Sequence, residues 1–136
     1  MMKTFPSVGV VVLKADEVLL IVKDNHPKRA YQLPGGQIEP GESSRQAARR
    51  ELEETTGLVA RPEQLIKIPK EWEAVIQKEY GTAIFPFICY ACTGYTGQIK
   101  RTETATPQWV QLTEVGGLLL NPNTESAINE ARRLKV

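Results

Sequence analysis

The sequence predicts an α/β fold, a mixed β-sheet packed between helices. Three observations carry that expectation. Two valine- and isoleucine-rich runs, "FPSVGVVVLK" (5–14) and "EVLLIVKD" (17–24), are joined only by Ala15 and Asp16, and read as a β-hairpin. The stretch "SSRQAARRELEETTG" opens on Ser43 with Gln46 three residues later, a capping-box pattern, so a helix is expected from about Ser44 to Thr56. Gly57 then stands where a left-handed helix stop is wanted. Thirdly, the remaining strand and helix candidates mix without strict alternation, which favours one mixed sheet over a regular parallel one.

The other elements follow in chain order. Residues 25–30 are a polar loop, and "YQL" (31–33) is a short strand ended by Pro34-Gly35-Gly36. Pro40-Gly41 makes a second turn at once, so 34–42 is expected to be an ordered loop. "LIKIPKEW", "AVIQKEY" and "TAIFPFICYACT" are strand candidates, and Pro86 inside the last suggests an edge or a bulge. "GYTG" (94–97) is a turn and "QWVQL" (108–112) a further strand. Thr113 is expected to cap a short helix through Leu120, weakened by Gly116-Gly117. Asn121-Pro122-Asn123 breaks the chain, and 124–134 forms a last amphipathic helix. With 136 residues and no internal repeat, one domain over 1–136 is expected, large enough to bury a core without staples.

Composition excludes several functions. A formal net charge of +1 offers no overall field for a nucleic-acid polymer or a membrane surface. The basic clusters "RQAARRE" and "ARRLK" are interleaved with acids and read as solvated helix faces. No apolar run approaches the ~20 residues that span a bilayer. The N-terminal valines alternate into a charged turn without a cleavage site, so a first strand is expected rather than a signal peptide, and a cytoplasmic protein, monomeric or homodimeric. Cys89 and Cys92 stand three apart in a strand-like context, so their side chains point to opposite faces and read as core thiols, not a metal or redox pair.

Chemistry concentrates on the first helix. At about 100° per residue, Ala48, Leu52 and Thr55 share the face to be buried. Glu51 and Glu54 lie beside that face as neighbours, while Glu53 turns to solvent with Arg49 and Gln46. Two adjacent carboxylates repel unless a hard divalent cation or a basic side chain lies between them. The glycines at 35 and 36 let backbone approach such a site closely. Either a metal–phosphate site or simple pairing with nearby arginines fits these residues alone.

Gly36, Glu42, Arg50-Glu51-Leu52, Glu54, Gly57 and Leu58 stand at the spacing G-x5-E-x7-R-E-U-x-E-E-x-G-U, with U a bulky aliphatic. This stretch closely resembles the Nudix box, matching eight of its nine specified positions, and "LPGG" before it is similar to the family's usual entry. The resemblance implies an α/β/α sandwich and hydrolysis of a nucleoside diphosphate linked to another group, dependent on Mg²⁺ or Mn²⁺ and MutT-like in kind. It implies that Glu51, Glu54 and the Gly35 carbonyl hold metal, with Glu51 a candidate base, and that Glu42 and Arg50 brace the loop against the helix. Thr55 departs from the pattern, which has a glutamate there. Glu103, six residues before Trp109, is a candidate replacement ligand, or else a solvated loop acid. Gly36, Arg101 and Asn123 are weaker candidates for substrate contact, and Lys100 and Arg101 are either phosphate-meeting cations or exposed loop cations. Asn121 and Asn123 lie near where MutT-like members carry a purine-reading asparagine, although Asn-Pro-Asn is also a turn former. Trp72, Tyr80, Phe85 and Phe87 offer stacking surface or core packing. His26, alone in a polar loop, is not expected to be catalytic.

Overall fold

The computed structural model describes residues 2–134. Within them the chain runs β1 (Met2–Thr4), β2 (Ser7–Lys14), β3 (Glu17–Lys23), β4 (Tyr31–Gln32), β5 (Gly35–Gln37), α1 (Ser44–Thr56), β6 (Leu65–Lys78), β7 (Gly81–Cys92), β8 (Ala105–Gln111) and α2 (Thr124–Arg133). The sheet is mixed: β2 runs parallel to β7 and antiparallel to β3 and β5. None of the described helices is long and apolar enough to cross a membrane.

The expected hairpin forms, but β2 and β3 stay paired only beside their turn, at Leu13–Val18 and Lys14–Glu17. Beyond that the two strands part. β5 takes the edge of β2 at residues 7–9, and β4 takes the edge of β3 at Ile21 and Val22. The Val10 amide donates to the Pro34 carbonyl between them at 2.9 Å. The segment expected to be loop from 34 therefore begins as a strand, because a split hairpin leaves backbone groups that must find partners. Glycine is required there: a side chain on Gly35 would start 2.0 Å from the Val8 carbonyl.

Alternation along β2 builds a core on each side of the sheet. Val8, Val10 and Val12 pack with Ala47, Ala48 and Leu52 of α1. Val11 faces the other way and packs with Ala127, Ile128 and Ala131 of α2. The α/β/α layering follows from that alternation. Cys89 belongs to the α2 side and Cys92 packs against the α1 side, as strand periodicity requires. Burial pushes the Cys89 thiol up to about 12 and raises Cys92 as well, so both read as packing groups.

Three local expectations are corrected. The two candidates after residue 64 form one long strand, β6, with a register shift between Lys67 and Glu71 beside Pro69. Pro86 lies neither on a sheet edge nor at a bulge. It pairs with Glu73 on one side, and on the other it faces the break between β1 and β2, where no ladder amide is needed. Thr113 does not cap a helix; it lies inside a 3₁₀ turn, Leu112–Gly117, that follows Gln111.

Leu52 is fully buried between α1 and the sheet. Leu52→Ala is expected to cost about 2–5 kcal/mol, read as a lower urea midpoint with an unchanged denaturant slope.

Candidate active site

α1 begins and ends where local chemistry says it should. The Ser43 hydroxyl accepts from the Gln46 amide, the Gln46 side chain accepts from the Ser43 amide, and Gly57 closes the helix at φ 86°. With both ends set, Ala47, Ala48, Leu52, Thr55 and Thr56 face inward and Glu51 falls on the margin, only 8% exposed. Glu54 is exposed on the outer side of that margin, and Glu53 is exposed beyond it. Arg49 differs from expectation: it is half-buried and its Nε donates to the Ala60 carbonyl.

Arg50 organises the acids. Its Nε and Nη2 form a fork on Glu42 at 2.7 and 2.9 Å. Nη2 also donates to the Gln37 carbonyl at 3.1 Å. Nη1 donates to Glu51 Oε1 at 3.0 Å and to Glu54 Oε2 at 3.1 Å. The hydrogen bond from Arg50, aided by the Glu39 amide, brings the Glu42 carboxyl from 4.5 down to about 2. The same fork raises the Arg50 guanidinium above its ordinary value. Glu51 also rests against bare backbone, for a methyl group on Gly36 would lie 2.5 Å from its Oε2. A side chain at 36 would fill the cradle in which this carboxylate sits.

Thr55 points inward, and its hydroxyl donates to the Glu51 carbonyl at 2.6 Å. It lines a cleft of about 320 Å³ with Glu51, Glu54, Glu103, Asp24 and Lys23. Glu103 is therefore brought to the same cleft as the two helix acids. Arg101 is engaged elsewhere: its fork lies on Asp24 at 2.9 and 3.2 Å, and it donates to the Thr106 hydroxyl. Lys100 lies over Gly57 and borders the outer groove of Glu53 and Glu54. Among the described residues no three His, Cys, Asp or Glu side chains already stand grouped as a metal cage. Glu51 and Glu54, the two helix acids that line the cleft, each receive a single hydrogen bond from Arg50, and a pair of carboxylates facing a cleft suits a hard divalent ion that keeps several waters.

A second cavity, about 450 Å³, adjoins this cleft through Lys23, which lines both. Its walls include Phe85, Phe87, Ile76 and Leu33, and Gly36 lies at its rim. Asn123 and Asn121 reach it, as do Gln32 and His26. Trp72 is buried in the core and Tyr80 lies away from the cavity lining. Sequence reasoning passed over Gln32, Lys23 and Asp24. Their one sequence signal was position, at the ends of β3 and β4 flanking the glycine turn.

The Glu42–Arg50 pair gives a signed pH dependence. A carboxyl held below its unfolded value stabilises the fold above about 4.5, and that contribution is lost as pH falls toward about 2. The gap in urea midpoint between the native protein and Glu42→Gln is therefore expected to be constant near neutrality and to close over that acid window. A gap independent of pH would show that the pair contributes nothing through charge.

A family model, the NUDIX domain, matches residues 3–132. An ADP-ribose pyrophosphatase of Methanocaldococcus jannaschii is 38% identical over 66 residues, covering 46% of this chain and 39% of that protein. An 8-oxo-dGTP diphosphatase of Haemophilus influenzae is 32% identical over 83 residues, covering 61% of this chain and 56% of that protein. With a third curated relative, the chain spans 31% to 56% of the length of these proteins. The crystal structure of a MutT NUDIX hydrolase from Burkholderia pseudomallei superposes with a TM-score of 0.77 at 20% identity, over 94% of this chain and 98% of that one. The family model runs over nearly the whole chain, and the motif residues meet on one helix and the glycine turn beside it: the chain belongs to the Nudix family.

Proposed function

We propose that this protein hydrolyses a phosphoanhydride bond in a nucleoside diphosphate linked to another group, in the manner of a MutT-like nucleotide pyrophosphohydrolase. The observation that carries the reading is the junction at Lys23 and Gly36. The acid-lined cleft and the aromatic-walled cavity share Lys23, and Gly36 of the cavity lies against Glu51 of the cleft, an arrangement that suits a molecule with a charged phosphate chain and a flat ring. The ring would sit against Phe85 and Phe87, and the phosphates would lie toward Glu51 and Glu54.

Glu51, Glu54, the Gly35 carbonyl and Glu103 would hold Mg²⁺ or Mn²⁺. Such an ion, when bound, neutralises phosphate oxygens and lowers the pKa of a coordinated water. The protein's own part is to hold acids and substrate in register. Glu51 is the candidate to take a proton from the attacking water, since it is nearly buried and its position is fixed by Gly36 and Arg50. Glu42 and Arg50 keep the glycine-bearing loop against α1. Lys23 supplies a cation where the phosphates would pass from cleft to cavity.

Thr55 favours a second reading, a nucleotide-binding or sensor module with a weakened box, because one helix position that carries an acid in the family pattern carries a hydroxyl here. Turnover measured beside calorimetry separates the two readings. The hydrolase reading expects phosphate or pyrophosphate release from at least one member of a nucleotide panel with Mg²⁺ or Mn²⁺. Binding without release would support the sensor.

Two substitutions test the metal assignment. Glu54→Gln is expected to lower kcat/KM on the best substrate by at least about tenfold; full activity would remove Glu54 from the site. Thr55→Glu adds a carboxylate at a buried position beside Glu51. It is expected to lower Tm without metal and to gain more Tm on adding Mg²⁺ than the native protein gains. Equal Mg²⁺ shifts would show that position 55 does not reach the ion.

A further inference from the structure

The aromatic-walled cavity has a polar side whose hydrogen-bond direction is set by His26. The His26 ring accepts at Nδ1 from the backbone amides of Lys28 at 3.1 Å and Ala30 at 3.5 Å. An atom that accepts from an N–H carries no proton itself, so the ring proton lies on Nε2. His26 Nε2 is 2.9 Å from Asn121 Oδ1 and therefore donates to it. This fixes the Asn121 amide, whose Nδ2 donates to Gln32 Oε1 at 2.8 Å. Gln32 lines the cavity, and with Asn121 held at Oε1 the end of its amide that has no hydrogen-bond partner among the described residues is the Nε2 N–H pair. Lys23, on the same cavity, is also only a donor.

We infer that His26 is a positioning residue: through Asn121 it turns Gln32 into a hydrogen-bond donor, so the cavity selects a ring with an acceptor edge, a 6-oxo purine over a 6-amino one. The inference rests on reading the cavity as the ring site of the proposed function. The ordering comes from two backbone amides rather than from another side chain. Neither amide group in the relay can flip without placing acceptor against acceptor or donor against donor, and such a mismatch is costly at these half-buried groups. The 6-oxo group of a purine accepts where the 6-amino group donates, so a donor directed at position 6 is satisfied by the first and opposed by the second, while the N7 acceptor is common to both.

The test uses inosine and adenosine monophosphates, which differ in this edge and carry no anhydride bond to hydrolyse. Binding is read by calorimetry on the native protein, His26→Phe and Gln32→Glu. The native protein is expected to favour the inosine compound by at least about tenfold. His26→Phe, which frees the Asn121 amide to turn, is expected to bring the two affinities within about twofold of each other. Gln32→Glu keeps an acceptor for Asn121 but faces the cavity with a second acceptor, and is expected to reverse the preference. Where His26→Phe fails to fold, the reversal in Gln32→Glu decides. Equal binding by the native protein, no binding of either compound at millimolar concentration, or a preference untouched by both substitutions would overturn the inference. Hydrolysis of the nucleotide panel beside equal monophosphate binding would sink this inference and leave the hydrolase reading standing.

Discussion

Every N–H that Arg50 possesses is spoken for. Nε and one Nη2 hydrogen go to Glu42, the other Nη2 hydrogen to the Gln37 carbonyl, and the two Nη1 hydrogens to Glu51 and Glu54. One planar group thus ties the end of β5, the loop that follows it and two turns of α1 into a single unit. Lysine, a point charge with three donors, has no geometry to replace it. The arrangement is also electrically unbalanced. One guanidinium lies within 4 Å of Glu39, Glu42, Glu51 and Glu54, so three formal negative charges remain uncompensated. The fork with Glu42 is short and bidentate, and that carboxyl is held well below its usual range. Glu54 is half exposed and shares one nitrogen with Glu51, so each of these two helix acids receives a single hydrogen bond from Arg50 where Glu42 receives two.

The unit stands where it does because a hairpin comes apart. Had β2 and β3 remained paired along their length, the glycine turn would have no edge to join. By parting after two residue pairs they admit β4 and β5, and β5 packs against α1, with Gly36 beside the Glu51 carboxylate. The same parting opens the cavity walled by Phe85 and Phe87. Acid cleft and aromatic cavity are therefore two sides of one structural event, joined at Gly36 and Lys23. Gly36 serves both: without a side chain it lets the Glu51 carboxylate close in from one side and borders the cavity on the other.

What could be read from the sequence was local, and what could not was long-range pairing. The helix limits came from Ser43, Gln46 and Gly57, each acting within one turn of its own position. The exposed character of Glu53 and the marginal position of Glu51 followed from helical spacing. The strand nature of Gly35–Gln37 depended on an edge of β2 that no local pattern announces. Arg101 looked available for phosphate because its partner, Asp24, lies 77 residues away. His26 looked isolated because Asn121 is 95 residues distant. Pro86 was misjudged for the same reason: its tolerance in a paired strand comes from the gap between β1 and β2 opposite it.

Thr55 is best understood through the direction its position faces. It is 1% exposed, and its hydroxyl returns to the carbonyl one turn back, so threonine closes the helix surface there with its own backbone. The residue contributes no charge, yet it borders the same cleft as Glu103 and Asp24. Those two acids come from loops held to each other. The Asp24 amide donates to the Thr104 carbonyl, and Arg101 forks onto the Asp24 carboxylate while bonding Thr106. Arg101 neutralises Asp24 and so leaves Glu103 as the loop acid without an ion-pair partner within 4 Å among the described residues. Where the helix presents a hydroxyl, the same cleft is lined by a carboxylate from the facing loop, which Arg101 ties to Asp24. In that geometry the Arg101 guanidinium is occupied by Asp24 and Thr106, so it ties the two loops together, and the significance of Thr55 becomes a question about the loop facing it.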